Sequence, residues 1–429
     1  MAKTRVHVSR RCGCVDAETG RQRGMTCPRL PVDDDHGSWH FAVQVRGLDG
    51  QRQRIRQGGY ADPEEAQAAG RALAAADHDG VGVRCTLGQW LARWLSAKDA
   101  LRPSTRQGYA THIRLYLIPQ LGRILLHQLT SRHVNGLLAT LASRPSPTGR
   151  RLSPATVVRI HATLRTALNA AVRARLIPVN PANGAELPHP RRPHPVVWTA
   201  GRTARWQQSG ERPAVAVWTE QQLAAFLAGV AQDRLYAAWW LAALRGLRRG
   251  ELAGLRWTDV DVQAAELTVA QQRVHADGQV VVGPPKSAAS CRSVALDAET
   301  VRVLRRHRER QEQLSATAGT RWRESGYVFT TADGAPLRPD YLTGRFRRLV
   351  AASGQPPIRL HDLRHGAATL ALAARTDLKV VQAMLGHASI VLTADTYVSV
   401  LPEVAHQAAR ETARLVLSAA SALGRQLGG

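Results

Sequence analysis

The chain has 429 residues, 44% of them hydrophobic, with 58 Lys+Arg against 33 Asp+Glu for a formal net charge of +25. At roughly 100–200 residues per domain that length suggests several domains, each with its own core, and the ordinary hydrophobic content excludes disorder throughout. So large a positive charge calls for a polyanionic partner, nucleic acid before an anionic membrane surface.

Residues 1–36 read as a basic, irregular, cysteine-containing extension. Trp39, Phe41, Val43 and Val45 then alternate as in a half-buried strand. Asp49-Gly50 is a hairpin turn. A short helix follows in ADPEEAQAAGRALAAA, with acids in its first turn to match the helix dipole. Residues 1–80 are therefore expected to form a sheet-plus-helix module with a basic arm. Residues 84–185 read as a helical bundle. Leu87, Trp90, Leu91, Trp94 and Leu95 keep helical spacing, as do Val157, Ile160, Leu164, Leu168 and Val172. Ser153-Pro154 supplies an N-cap and first-turn pair for the second of these.

A Pro- and Arg-rich segment, 186–212, is expected to be a linker. It contains a local echo, HPVVWTAGRTARW at 194–206 and PAVAVWTEQQLAAF at 213–226. Two copies are too few for a solenoid, which leaves a duplicated edge segment or chance. The last domain is placed at 213–410. It opens with a capping box at Thr219 and Gln222. It continues through strands in ELTVAQQRV, DGQVVVGPPK and CRSVAL, with Asp277-Gly278 as a turn, and then becomes helical. Residues 411–429 form a C-terminal helix and tail.

The most apolar stretch, Leu235 to Leu244, is about half a membrane span. The N-terminus lacks the apolar core of a signal peptide, and GRQLGG carries no lipidation or retention signal. The expectation is a cytoplasmic, nucleoid-associated protein with no membrane partner. The cysteines (Cys12, Cys14, Cys27, Cys85 and Cys291) are too few for a disulfide framework. Cys12, Cys14, Cys27 and His36, with His7 or His40 as substitutes, make a valid zinc set. The C-x-C spacing is not the common knuckle, so a basic arm with free thiols stands beside that reading, and no metal is assigned.

Three groups of residues carry chemistry: GLRRGELAGLRWTDVD (246–261), PPKSAASCRSVAL (284–296), and the run of LHDLRHGAATL (360–370), LGHASI (385–390) and ADTYVSV (394–400). His361 and Arg364 are three apart, so a helix puts both on one face, with His365 beside them. LKVVQAML reads as a helix stopped by Gly386, which places His387 just past its end. Tyr397 follows ten residues later. Arginines, histidines, a lysine and a tyrosine together suit phosphoryl transfer to a tyrosine hydroxyl. Guanidinium forks bind phosphate oxygens bidentately, and fixed cations stabilise the charge that grows on them. Such a site needs no metal or other cofactor.

At these residues, over 213–410, the chain resembles the tyrosine recombinase, or phage integrase, family. The resemblance implies a fold that is mainly α with small antiparallel sheets: an N-terminal β-sheet-plus-helix arm-binding module, a helical core-binding bundle and a mixed α+β catalytic domain. It implies site-specific DNA recombination through a 3′-phosphotyrosine, with integration or excision of a mobile element. Tyr397 would be the nucleophile, Arg248 and Arg364 the phosphate clamp, and Lys286 the general acid to the departing 5′-oxygen. His361 would assist proton transfer and His387 would bond the phosphate. Glu251 would orient Arg248. Arg292 competes with Lys286 for its role, and His365 and Arg249 are bystanders. The partners implied are double-stranded DNA at core and arm sites, a homotetramer on that DNA, and an excisionase or DNA-bending factor. Arg46, Arg52, Arg54 and Arg56 are the arm-site candidates. The alternatives are a non-catalytic DNA-binding protein on the same scaffold and a chromosome-dimer resolvase.

Overall fold

Three nine-residue strands set the N-terminal architecture. A computed structural model describes residues 6–16, 19–46, 52–78, 85–143, 149, 151–189 and 193–389, and near the C-terminus 406, 409–414, 416 and 417. The chain divides into two compact units, Met1–Arg191 and Arg192–Gly429. As expected, it is mainly α with small antiparallel sheets.

In the first unit β1 (His7–Val15), β2 (Gln22–Gly24), β3 (Ser38–Arg46) and β4 (Arg52–Tyr60) form one antiparallel sheet in the order β2-β1-β3-β4. The first two strands correct the expectation of an irregular extension over 1–36. Arg10, Arg11, Cys12 and Cys14 hide the strand signature, yet the ladder to β3 runs from His7↔Ala42 to Arg11↔Ser38. Backbone pairing, not an apolar face, makes β1 a strand. The Asp49-Gly50 turn lies outside the described residues. Helix α1 (Pro63–His78) covers the sheet. The core beneath it is small, with Phe41, Val43 and Ile55 buried and Val6, Val8 and Tyr60 partly so.

The bundle follows with α2 (Leu87–Ser96), α3 (Pro103–His112), a π turn (Ile113–Leu117), α4 (Ile118–Leu121), α5 (Ser131–Ser143) and α6 (Pro154–Arg173). A Thr86–Gln89 capping box starts α2, and Ser153 caps α6. Leu87, Leu91, Leu117, Ile160 and Leu164 are fully buried between the helices. Trp90 donates its indole N–H to the Ala167 carbonyl at 2.9 Å, which satisfies the one polar atom of a ring that is otherwise core.

The second unit begins inside the segment expected to be a linker. Strand β5 (Val196–Val197), helix α7 (Ala200–Ser209) and strand β6 (Ala216–Val217) are ordered structure, and β5 pairs with β6 in parallel. The echo in the sequence is thus a structural duplication. Each copy is a short strand, a buried Trp (Trp198, Trp218), a Thr N-cap (Thr199, Thr219) and a helix, the second being α8 (Glu220–Gly229). Pro and Arg masked the pattern, because a two-residue strand has too few positions to show alternation.

The apolar α9 (Tyr236–Leu244) is buried at the centre, packed on α11 (Ala298–Ala318) and α13 (Asp362–Ala373). Before them come α10 (Arg249–Gly254) and the strands β7 (Val260–Asp261), β8 (Glu266–Val269), β9 (Gln272–Ala276), β10 (Gln279–Gly283) and β11 (Arg292–Ala295). β7, β8 and β11 make one antiparallel sheet, and β9-β10 is a separate hairpin turned by Asp277-Gly278. α12 (Pro339–Ala352) and α14 (Leu378–Leu385) complete the unit. Trp198, Phe226, Trp239, Phe329 and Phe346 are its largest fully buried side chains. Val197 and Val217 of the parallel pair pack against Leu370 and Ala373 of α13. The supposed linker therefore buttresses the helix that carries Arg364.

Candidate active site

The carbonyl end of α14 organises the site. A helix leaves its last carbonyls without intrahelical partners, and cationic groups favour that end. Gly386 stops α14 in the left-handed region at φ 65°. A Cβ there would stand 2.8 Å from the Ala289 carbonyl oxygen and 2.9 Å from Arg292 Cδ, so only glycine fits both the turn and the space.

Three arginines from three other elements meet the freed carbonyls. Arg292 of β11 donates through Nε to Met384 O at 2.6 Å. Arg364 of α13 donates through Nη2 to Leu385 O at 2.5 Å and through Nη1 to Gly246 O at 2.6 Å. Arg248, the N-cap of α10, donates through Nη2 to Gly386 O at 3.3 Å. Arg364 is only 2% exposed, so these carbonyls are what make its burial tolerable.

Glu251 supplies the countercharge. Its Oε2 accepts the Arg248 backbone N–H at 2.9 Å and its Oε1 accepts Arg248 Nη1 at 2.6 Å. From the other side Arg292 donates to both carboxylate oxygens, at 3.1 and 3.3 Å. Burial of Glu251 would raise its pKa, but Arg292 and then Arg248 outweigh that and hold it below the ordinary value. Ser290 Oγ ties the loop after β10 to the same cluster, through Arg248 Nη1 at 3.4 Å and Gly386 O at 3.4 Å.

His387 follows directly, with its backbone N–H on Gln382 O at 3.2 Å and its own carbonyl accepting from Gln382 Nε2 at 3.0 Å. The ring is nearly buried. Desolvation, then Arg364, Arg248 and Arg292, push its pKa down to about 3. It is thus a neutral imidazole at physiological pH, able to bond an anion without carrying charge of its own. His361 stands at the N-cap position of α13 without a side-chain capping bond and is exposed, and its ring meets that of His365 edge-on at 5.2 Å. Desolvation by the surrounding protein and the charge of Arg364 lower the His361 pKa. His365 is brought down to about 4 by burial and by His361.

The structure therefore brings together Arg248, Arg364 and His387, with His361 on the helix of Arg364. Lys286 is exposed on the loop between β10 and β11, four residues before Ser290. Tyr397 lies outside the described residues. Arg292 proves to be more than a rival of Lys286, since it closes the Glu251 clamp. Its one trace in the sequence is an arginine on a strand whose neighbours alternate, and the α14 carbonyls it meets are a tertiary feature that no spacing reveals. Arg249, read as a bystander, pairs with Asp340 at 2.9 Å at the surface.

Residues 217–403 match the model of the Phage integrase family, and residues 86–141 match that of the Phage integrase, N-terminal SAM-like domain. The chain is 26% identical over 333 residues to a tyrosine recombinase XerC-like protein of Caldanaerobacter subterraneus, covering 74% of this chain and 80% of that one. It is 32% identical over 193 residues to the ICEBs1 integrase of Bacillus subtilis, covering 44% of this chain and 52% of that one. The solved structure of the Tn1549 transposon integrase in complex with transposon right end DNA aligns with a TM-score of 0.58 at 20% identity, over 77% of this chain and 100% of that one. That likeness speaks to the fold.

Proposed function

Because the chain belongs to the phage integrase family and is a site-specific tyrosine recombinase acting on DNA, we propose that Arg248, Lys286, His361, Arg364, His387 and Tyr397 carry its chemistry. The observation that supports this best is the α14 terminus. Arg248 and Arg364 are fixed there by backbone carbonyls beside a neutral His387, ten residues before Tyr397. Cations held in place before the substrate arrives need no reorganisation as charge develops on a phosphate.

In this reading the non-bridging oxygens of the scissile phosphate lie between Arg248 and Arg364, and His387 donates a hydrogen bond to one of them. The Tyr397 hydroxyl oxygen attacks phosphorus, and the bond from phosphorus to the 5′-oxygen breaks. The tyrosine proton leaves through His361, and Lys286 protonates the departing 5′-oxygen. The product is a 3′-phosphotyrosine and a free 5′-hydroxyl. Attack by the 5′-hydroxyl of a partner strand reverses the step, so the phosphodiester energy is conserved and no nucleotide cofactor is consumed.

The basic hairpin with Arg46, Arg52, Arg54 and Arg56 would read arm sites, and the bundle and catalytic domain the core sites. A homotetramer exchanging strands in pairs, integrating or excising a mobile element with an excisionase or DNA-bending factor, fits this layout. No helix among the described residues is long and apolar enough to cross a membrane.

The test is a covalent adduct. Nicked duplexes tiled across the DNA flanking the gene are incubated with the protein, denatured in SDS and run beside Tyr397→Phe. We expect a shifted band with the parent and none with the variant, while both bind DNA with the same salt dependence. An adduct that survives in Tyr397→Phe removes this residue as nucleophile. Tight binding with no adduct on any fragment favours the non-catalytic DNA-binding reading.

A further inference from the structure

The N-terminal unit holds a second cluster that recombination does not use. Cys12, Cys14, Cys27 and His36 bring one ligand atom each to a common centre, all within 4.8 Å of one another. The sequence left these residues open between a metal site and free thiols. We propose that they bind one zinc ion that staples the 25–37 loop onto β1.

Two of the ligand-to-ligand distances match the edges of a tetrahedral site. With Zn–S about 2.3 Å and Zn–N about 2.0 Å, a tetrahedron has S···N edges of about 3.5 Å. His36 Nε2 lies 3.4 Å from Cys14 Sγ and 3.6 Å from Cys27 Sγ. Two thiols and one imidazole nitrogen thus already sit at the edge lengths that a central ion imposes. Three soft sulfurs and one nitrogen in that arrangement select zinc over hard cations, which take oxygen ligands.

Local structure explains the unusual C-x-C spacing. Side chains at i and i+2 of a strand share a face, so Cys12 and Cys14 both project from one side of β1. A register shift between β1 and β2 lies between Cys12 and Val15, at the position of Cys14. The other two ligands come from the connection that returns the chain to β3. Cys27 is buried and receives the Arg29 backbone N–H at its sulfur, as outer-shell amides do for bound thiolates. His36 stands just before Gly37 and the first residue of β3.

Packing points the same way. Arg10, Arg23 and Arg29 on the segments around the cluster are paired with Asp34, Asp16 and Asp33, which tie these segments to one another. Arg10 binds the Asp33 carbonyl at 3.0 Å and so holds the loop against β1. Among the described residues the apolar cluster of this module has Phe41, Val43 and Ile55 as its buried members, and none of these three comes from 25–37. Domains with so little core commonly take a metal as part of their fold. Here the ion would fix the basic edge of the sheet formed by β1 and β2.

The full chain, without a histidine tag, is purified from zinc-supplemented culture under reducing conditions, and metal is measured by mass spectrometry. We expect close to one zinc per chain. Cys14→Ser and His36→Ala should each lower zinc affinity by more than the roughly 10–100-fold that loss of an outer-shell partner costs, whereas Cys291→Ser should leave it unchanged. Cobalt(II) added to the metal-free parent should give thiolate-to-metal charge transfer and tetrahedral visible bands, which needs no variant to fold. No zinc above the buffer blank in a fully reduced chain overturns the proposal. So does zinc retained in full by Cys14→Ser, or a disulfide among Cys12, Cys14 and Cys27 in the purified protein.

Discussion

The two polar clusters of this molecule are built by opposite means. In the C-terminal unit a buried carboxylate, two buried arginine side chains (Arg292 and Arg364) and the partly exposed Arg248 stand beside a core of Trp198, Phe226, Trp239, Phe329 and Phe346. There the fold exists first, and it spends helix carbonyls to hold charges that water would otherwise solvate. In the N-terminal module four candidate ligands gather where, among the described residues, a small apolar cluster of Phe41, Val43 and Ile55 is buried. There the polar cluster is itself a part of what holds the fold. Each unit is therefore fragile in a different place: the C-terminal unit at its buried ion pairs, the N-terminal module at the proposed zinc ligands.

Glu251 should therefore show the largest effect. Glu251→Gln keeps the shape but leaves Arg248 and Arg292 without their shared countercharge at a position 2% exposed. Removing one partner of a buried pair costs about 3–5 kcal/mol, and urea unfolding of the C-terminal unit should show it. Asp33→Asn breaks a 3.1 Å pair with Arg29 in the N-terminal module, where both side chains are well exposed. Exposed pairs contribute little, because water screens them. Equal losses at the two positions would erase the contrast between the units.

Gly386→Ala sharpens the same point at the α14 terminus. The left-handed φ alone costs about 1–2 kcal/mol, and the Cβ contact at 2.8 Å with the Ala289 carbonyl adds to it. Gly278→Ala is the control, since its φ is 78° but nothing lies within 4 Å of a new Cβ. We expect Gly386→Ala to lose more stability than the control, and to slow adduct formation because Arg248 and Arg292 shift with the carbonyls they bond. A match between the two variants would mean that the close approach costs nothing.

What could be read in the sequence was local. The Thr219–Gln222 capping box and the Ser153 cap appear where the residues placed them, as does the Asp277-Gly278 turn. Gly386 ends its helix for the reason its neighbours suggest, and the separation of Arg248, His361, Arg364 and His387 along the chain follows motifs. The strand β1 was not legible, because basic and thiol side chains replaced the apolar alternation that announces strands. The linker was misread because β5 and β6 are stabilised by each other and by α13, across the helix between them. Arg292 was undervalued because its role depends on α14, some ninety residues away. Each miss is a contact between distant elements, which no local pattern encodes.

The smallest expected effect concerns protons. His307 is 9% exposed and shares a 2.8 Å hydrogen bond with the Val328 carbonyl, and burial lowers its pKa to about 4. His365 is lowered to about 4 as well, and His387 to about 3. In the unfolded chain each would titrate near 6.5. Between those values the unfolded state binds more protons, so stability rises with pH across the window. The contribution is complete above about pH 6.5 and is lost as pH falls toward 4. A histidine shifted this far contributes about 1 kcal/mol of lost stability between pH 7 and 5.5. Urea unfolding of the C-terminal unit should weaken over that range, and His307→Gln should flatten the slope by about one proton even if it lowers stability at every pH. An unchanged slope in His307→Gln would mean that this histidine is protonated in the folded protein, the Val328 carbonyl holding its charge against the repulsion of Arg310 and Arg234.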